Sequence, residues 1–257
     1  MKNEKWYSIV YSVIGICLAL LFWVFITSRL FLNEQFSDSF SPLHSFRKLW
    51  DISKDGTLLE HTVPSLKRVA VGLGCACLLG IPMGIFIGFF TKVYYLSNTV
   101  IQFVRMTSPL AWMPIAIILL GVGDKPIYFL ITIAAVWPIV LNTAQGVRNV
   151  DQSWIQAVRM LGGGQIDIIR RVIIPAVIPD ILTGIRISIG ISWIILVPAE
   201  MLGVSSGLGY FILDTRDRFE YGELMAAIVA IGFLGYITDY ILRLILNYFS
   251  WRTSEEQ

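Results

Sequence analysis

The chain has 257 residues, 56% of them hydrophobic and only 15% charged, with a mean hydropathy of +0.70. Soluble domains run at about 45–50% apolar and about 25% charged, so the composition points to a protein embedded in lipid. A formal net charge of +2, with basic residues scattered and not gathered into a stripe, argues against a nucleic-acid surface.

In chain order, a short polar start containing Lys2 and Lys5 leads into an apolar run over 6–28. That run exceeds the roughly 7–15 residues of a signal-peptide core and has no small-x-small cleavage site after it, so it is read as an uncleaved membrane helix. A bilayer-crossing helix needs about 20 mostly apolar residues. The runs over 69–90, 99–120, 127–147, 176–199 and 224–248 also qualify, which predicts an all-α membrane protein with about six transmembrane helices. Internal prolines such as Pro82, Pro109, Pro114, Pro138 and Pro198 fit packed membrane helices, where neighbours satisfy the freed carbonyls. The polar stretch over 29–65, with Pro42 and Pro64, reads as an extramembrane loop with one short surface helix, and 203–223 as a second loop on the same side. Lysines and arginines tie between the two sides, so the positive-inside tally does not decide orientation. Lys2 and Lys5 favour an inside N-terminus, and an even number of spans then places both termini in the cytoplasm.

Cys17, Cys75 and Cys77 all fall within apolar runs and read as small core residues, not as a metal or redox set. The second run carries Gly80, Gly84 and Gly88, four apart on one helix face, where a missing side chain lets another backbone approach. They are assigned to helix packing, within one subunit or between subunits.

The segment over 151–175 is charged and glycine-broken between two apolar runs. Trp154, Val158 and Leu161 fall at i, i+4 and i+7 and predict one apolar helix face. Gly162, Gly163 and Gly164 then break the helix, and Ile166, Ile169 and Ile173 resume an apolar face ahead of Pro175 and Pro179. The expectation is a short amphipathic helix, a bend and a second short helix at the membrane surface, serving either as a docking surface for a soluble partner or as an interfacial helix on lipid.

The spacing Gln156-Ala157-Val158, three residues, Gly162, nine residues, Val172, one residue, Ile174-Pro175 resembles the cytoplasmic signature loop of ABC importer permeases. That signature is commonly written EAA, three residues, G, nine residues, I-x-L-P. Ala157, Gly162 and Pro175 match it, whereas Gln156 stands where an acid is usual. The stretches Ser108-Pro-Leu-Ala-Trp-Met-Pro114, Trp137-Pro-Ile-Val-Leu-Asn-Thr143, Leu182-Thr-Gly-Ile-Arg186, Val197-Pro-Ala-Glu-Met201 and Ser206-Gly-Leu-Gly-Tyr210 are similar to the nitrate, bicarbonate, taurine and alkanesulfonate permeases.

The resemblance covers roughly 61–251 and implies the type I ABC importer permease (MetI-like) fold. It divides the chain into an N-terminal helix and extracytoplasmic loop over 1–60, a permease core with five spans and a coupling loop (151–175) over 61–251, and a polar tail over 252–257. It further implies a multi-pass protein of the bacterial plasma membrane. Its expected partners are a second copy of the chain, two ABC ATPase subunits and an extracytoplasmic substrate-binding protein. ATP and magnesium would belong to the ATPase subunits, leaving this chain with no cofactor or metal of its own. Gln156, Ala157, Gly162, Gly163, Gly164 and Pro175 would then form the ATPase-coupling loop.

Charged or hydrogen-bonding groups within apolar runs are expected to face a partner or a water-filled cavity. On that ground Arg105, Trp112, Asn142, Arg186, Trp193 and Glu200 are the candidates for a translocation path for a small oxyanion, although each also has a packing or interfacial reading. Arg186 and Glu200 lie fourteen residues apart, about 21 Å along a helix, so each needs its own partner. No phosphate-binding loop, H-E-x-x-H or nucleophile elbow is present, so no enzymatic chemistry is expected in this chain. The alternative to an ATP-driven permease is a stand-alone secondary transporter or channel, for which inverted repeats would be the mark; no convincing internal repeat is visible.

Overall fold

The computed structural model describes residues 2–30 and 39–254. All elements among the described residues are helical. They are α1 (Lys2–Leu30), α2 (Pro42–Lys54), α3 (Thr57–Phe89), α4 (Thr91–Met106), α5 (Met113–Leu120), α6 (Asp124–Asn149), α7 (Gln152–Met160), α8 (Gln165–Gly203), α9 (Leu208–Asp217) and α10 (Tyr221–Ser254). Helices α3, α6, α8 and the 221–244 part of α10 are each long and apolar enough to cross a membrane, and α1 carries the apolar stretch Val13–Ser28.

The run over 99–120, expected as one span, is instead a bent pair. Helices α4 and α5, the latter led by a 3₁₀ turn at Pro109–Trp112, meet at 80°. The reason is local. Pro109 has no N–H to continue the helix and pushes the preceding residue out of helical space. Thr107 and Ser108 are accordingly extended, with ψ of 129° and 121°.

The chain forms two compact units. One comprises residues 1–61 and 211–232. Its core joins Ile52 of α2, Phe211 of α9 and Ala226 and Ala227 of α10. His61 stacks on Phe211 with ring centroids 4.9 Å apart. Helix α2 is the short surface helix expected of the 29–65 stretch, whose end from Thr57 onward, expected as loop, instead opens α3. Ser41 caps it by accepting from the His44 N–H at 3.3 Å, with Pro42 pre-set at its first turn. The 203–223 stretch, expected as loop, contains α9, because Leu208 and Phe211 are both buried and pin its first turn.

The other unit comprises 62–210 and 233–257. Its centre is α6, with Ile127, Leu130, Ile131, Ile139 and Val140 fully enclosed. Gly72, Gly80, Gly84 and Gly88 form one stripe on α3 and press on α6. A Cβ at Gly84 would lie 2.6 Å from the Thr143 Cβ, and one at Gly88 would lie 2.6 Å from the Ala144 carbonyl. The glycine row therefore serves packing between two helices of the same chain. Helix α8 lies along α6, where Ser188 Oγ donates to the Ala135 carbonyl at 2.6 Å. The second short helix expected after the triple glycine is continuous with this span. A widened π turn at Ile169–Ile173 carries α8 through to Pro175, whose missing N–H cannot reach the Arg171 carbonyl.

Candidate functional site

Helix α7 connects α6 to α8 at one end of the second unit. Asp151 caps it by accepting from the Ser153 N–H at 2.8 Å, and this bond holds the Asp151 carboxyl below the usual carboxylate range. Gly162 ends it with φ +81°, a left-handed conformation that disfavours any side chain. Gly163 is close-packed, since a Cβ there would come within 2.5 Å of Val158 Cγ1. Gly164 donates its N–H to Asp167 Oδ2 at 3.1 Å, which starts α8.

The apolar face predicted from Trp154, Val158 and Leu161 is divided between two roles. Ile155 and Val158 turn inward and join Val147, Val150, Ile168 and Ile173 in a core cluster that anchors the elbow. Trp154 is half exposed, and Met160, Leu161 and Ile166 are 86%, 88% and 70% exposed. Ile166 thus does not resume the inward face, which falls to Ile168 and Ile173. Gln156 and Ala157 are also exposed. The elbow therefore presents an apolar rim on a firmly anchored base.

The six residues expected along a path do not share one place. Arg105 and Trp112 line a cavity of about 180 Å³ at the α4–α5 bend, together with Thr107, Trp137, Pro138 and Ile191. Arg105 is exposed and has no ion-pair partner among the described residues. Asn142 donates to the Pro138 carbonyl of its own helix at 2.8 Å and packs against Gly184. Arg186 Nε meets Asp239 Oδ1 at 2.9 Å, and Arg243 Nε reaches Oδ2 of the same carboxylate at 2.7 Å. One helical face further along, Trp193 Nε1 donates to Thr238 Oγ1 at 3.0 Å and is almost wholly buried.

Glu200 is fully buried at the end of the unit opposite α7. Arg68 Nη1 reaches Glu200 Oε1 at 2.6 Å, and Arg68 Nη2 reaches Asp124 Oδ1 at 2.7 Å. Ser65 Oγ donates to Glu200 at 2.8 Å and accepts from the Leu208 N–H at 2.9 Å. The Gly209 N–H donates to Glu200 Oε2 at 2.8 Å, and Arg68 Nη1 also donates to the Ser206 carbonyl at 2.7 Å. The network ties the ends of α3, α6 and α8 to the start of α9. With both oxygens of the carboxylate accepting, from Arg68, Ser65 and Gly209, it meets the requirement for a tolerable buried ion pair.

Sequence reasoning missed Arg68, Asp124 and Asp239. Arg68 falls between the polar 29–65 stretch and the apolar run that begins at Val69, and it lies three residues after Ser65 on one face of α3. Asp239 is an acid inside an apolar run, the same signal that singled out Arg186.

Residues 80–255 match the family described as binding-protein-dependent transport system inner membrane component. The chain is 34% identical over 215 residues to the nitrate import permease protein NrtB of Leptolyngbya laminosa, covering 80% of this chain and 77% of that one. It is 37% identical over 187 residues to the bicarbonate transport system permease protein CmpB of Synechococcus elongatus, covering 72% and 67%. Among solved structures, a chain of the MetNI methionine ABC transporter in an inward-facing conformation matches with a TM-score of 0.63 at 16% identity, covering 75% of this chain and 95% of that one.

Proposed function

The chain belongs to the family of binding-protein-dependent transport system inner membrane components, and from that membership we propose that it is the permease subunit of an ATP-driven importer for a small oxyanion. It is a multi-pass membrane protein of the ABC importer permease type, with the MetI-like fold. The nitrate and bicarbonate permease relatives support this solute class; taurine and other sulfonates fit the same chemistry. Two copies would line one path. Two separate ATPase subunits carrying ATP and magnesium would grip the α7 elbows from the cytoplasm, and a binding protein would deliver solute at the opposite face. Both termini would lie in the cytoplasm.

The observation that carries this reading is the elbow itself. An isolated exposed apolar rim of Met160, Leu161 and Ile166 is costly in water but suits a hydrophobic groove on a soluble partner. Its base is fixed to α6 and α8, so a push on the rim moves whole spans and not a loose loop. For the path, Arg105 with Thr107, Trp112 and Trp137 at the α4–α5 bend supports an anion route, because an unpaired guanidinium beside a cavity attracts a small oxyanion.

Leu161→Asp tests the elbow. The variant is expected to insert and remain folded, because Leu161 touches little within the chain. It should lose co-purification with the ATPase subunit and lower ATP-dependent uptake of nitrate or bicarbonate into proteoliposomes by about tenfold or more, as hot-spot truncations do. Uptake at the wild-type rate by the variant, or solute transport by the chain with no ATPase subunit present, overturns the proposal.

A further inference from the structure

A polar cavity of about 270 Å³ lies behind α7, on the side away from the exposed rim. Its polar lining is Arg148, Gln152, Arg159 and Gln165, with Thr91 at the corner between α3 and α4, and none of its lining residues is acidic. Arg148 is held over the Tyr94 ring at 4.0 Å, with Tyr95 at 5.6 Å, which fixes the guanidinium without neutralising it. Among the described residues neither Arg148 nor Arg159 forms an ion pair. The nearby acids are engaged elsewhere: Asp151 accepts from the Ser153 N–H, and Asp167 accepts from the Gly164 N–H and faces Arg171 at 3.6 Å. Two guanidinium groups and two amides thus surround one space whose lining contains no carboxylate to neutralise them.

This cavity adjoins a second one of opposite character. An almost wholly apolar groove of about 520 Å³ runs over Pro82, Ile85, Phe86, Phe90 and Ile169, and it meets the polar cavity at Phe89 and Gln165. From Phe89 to Pro82 the groove follows about two turns of α3, roughly 10 Å toward the middle of the span. A basic, donor-rich chamber continuous with a greasy lane has the shape and polarity of a head group joined to an acyl chain.

We infer that an anionic phospholipid of the leaflet on the α7 side binds here, its phosphodiester between Arg148 and Arg159 and one acyl chain along Phe86 and Phe90. The lipid wedges between α7 and the α3–α4 corner, so it sets the seating of the elbow from behind while the rim stays free. The same donors suit any oxyanion, including free phosphate; the apolar groove is what selects a lipid. This inference stands apart from the identity of the transported solute, and lipid binding is read without transport.

The full chain, purified in detergent and stripped of lipid, is titrated with phosphatidylglycerol, phosphatidylcholine or inorganic phosphate, and binding is followed by native mass spectrometry and thermal shift. Phosphatidylglycerol is expected to bind tightest. Arg159→Gln should weaken it about tenfold, as loss of a charge-assisted bond does, and Arg148→Gln/Arg159→Gln should weaken it further. Because Arg148 also stacks on Tyr94, Arg159→Gln alone carries the test where the double variant folds poorly. Phe86→Ser should weaken phosphatidylglycerol and leave phosphate unaffected. Lys92→Gln, an exposed cation outside the lining, should change affinity less than twofold. Wild-type affinity in Arg159→Gln overturns the site, and equal losses in Lys92→Gln and Arg159→Gln reduce it to diffuse surface attraction. Phosphate binding as tight as phosphatidylglycerol reassigns the cavity to a free oxyanion. Displacement of the lipid by the ATPase subunit, together with loss of that subunit in Arg159→Gln, reassigns it to a partner's acidic side chain.

Discussion

At the scale of single residues, the least expendable interaction is the one between Arg68 and Glu200. Both side chains are removed from solvent, at 3% and 0% exposure, and the carboxylate is closed off by Ser65 and the Gly209 N–H. Removing one member leaves the other charged and buried, which is expected to destabilise by about 3–5 kcal/mol. Glu200→Ala should therefore fall toward the lower end of that range, since Asp124 still faces Arg68. Arg68→Met/Glu200→Met should recover much of the loss by removing both charges. Thermal unfolding in detergent measures each, and a Glu200→Ala shift no larger than that of a surface control such as Arg216→Ala contradicts the network's role. The residues also show where the chain was readable. Glu200 was legible as a buried charge needing a partner, but the partner was not, because Arg68 is 132 positions away and only the fold brings them together. Arg186 and Asp239 were legible one by one as charges in apolar runs, and their pairing required the packing of α8 on α10.

At the scale of elements, hydropathy marked the spans because a helix in lipid must be apolar along its length whatever its neighbours do. It did not mark the break between α4 and α5, since the bend arises from two extended residues ahead of Pro109 inside a run that stays apolar. Nor did it separate the two faces of α7. Trp154, Val158 and Leu161 have helical periodicity, but Ile155 takes the buried position and leaves Trp154 and Leu161 outward, a choice made by the core beneath them. The α3 stripe was legible as glycines at four-residue spacing, and its function as a seam with α6 sets a sharp contrast. Gly84→Ala places a Cβ 2.6 Å from Thr143 and 2.8 Å from the Val140 carbonyl, so the helices must separate. Overpacking of this kind is expected to destabilise by about 1–3 kcal/mol. Gly74, on the same helix, has nothing within 4 Å of a built Cβ. Gly74→Ala should be neutral or stabilising by up to about 1 kcal/mol, through helix propensity alone. Equal unfolding temperatures for the two variants contradict the seam.

At the scale of the whole second unit, the elbow and the Arg68 network occupy opposite ends, and α8 runs between them from Gln165 to Glu200. Thirty-five residues at 1.5 Å rise make that separation about 52 Å. Sites so far apart with no shared side chain are expected to act independently within about 0.3–0.5 kcal/mol unless a two-state element links them. In the isolated chain no partner holds the rim, so independence is the expectation there. Leu161→Asp should lose ATPase binding at unchanged unfolding temperature, and Glu200→Ala should lower that temperature while still binding the ATPase. The double variant should show the sum of the two stability changes. On the proposed function, coupling would enter only when an ATPase subunit is bound and holds the rim, for then the seating of α7, through α6 and α8, is biased at one end and read at the other. Thermal unfolding of the four proteins, with and without the ATPase subunit, measures this directly. A non-additive double variant in the isolated chain contradicts independent ends, and strict additivity in the ATP-bound complex contradicts the view that α6 and α8 carry the stroke.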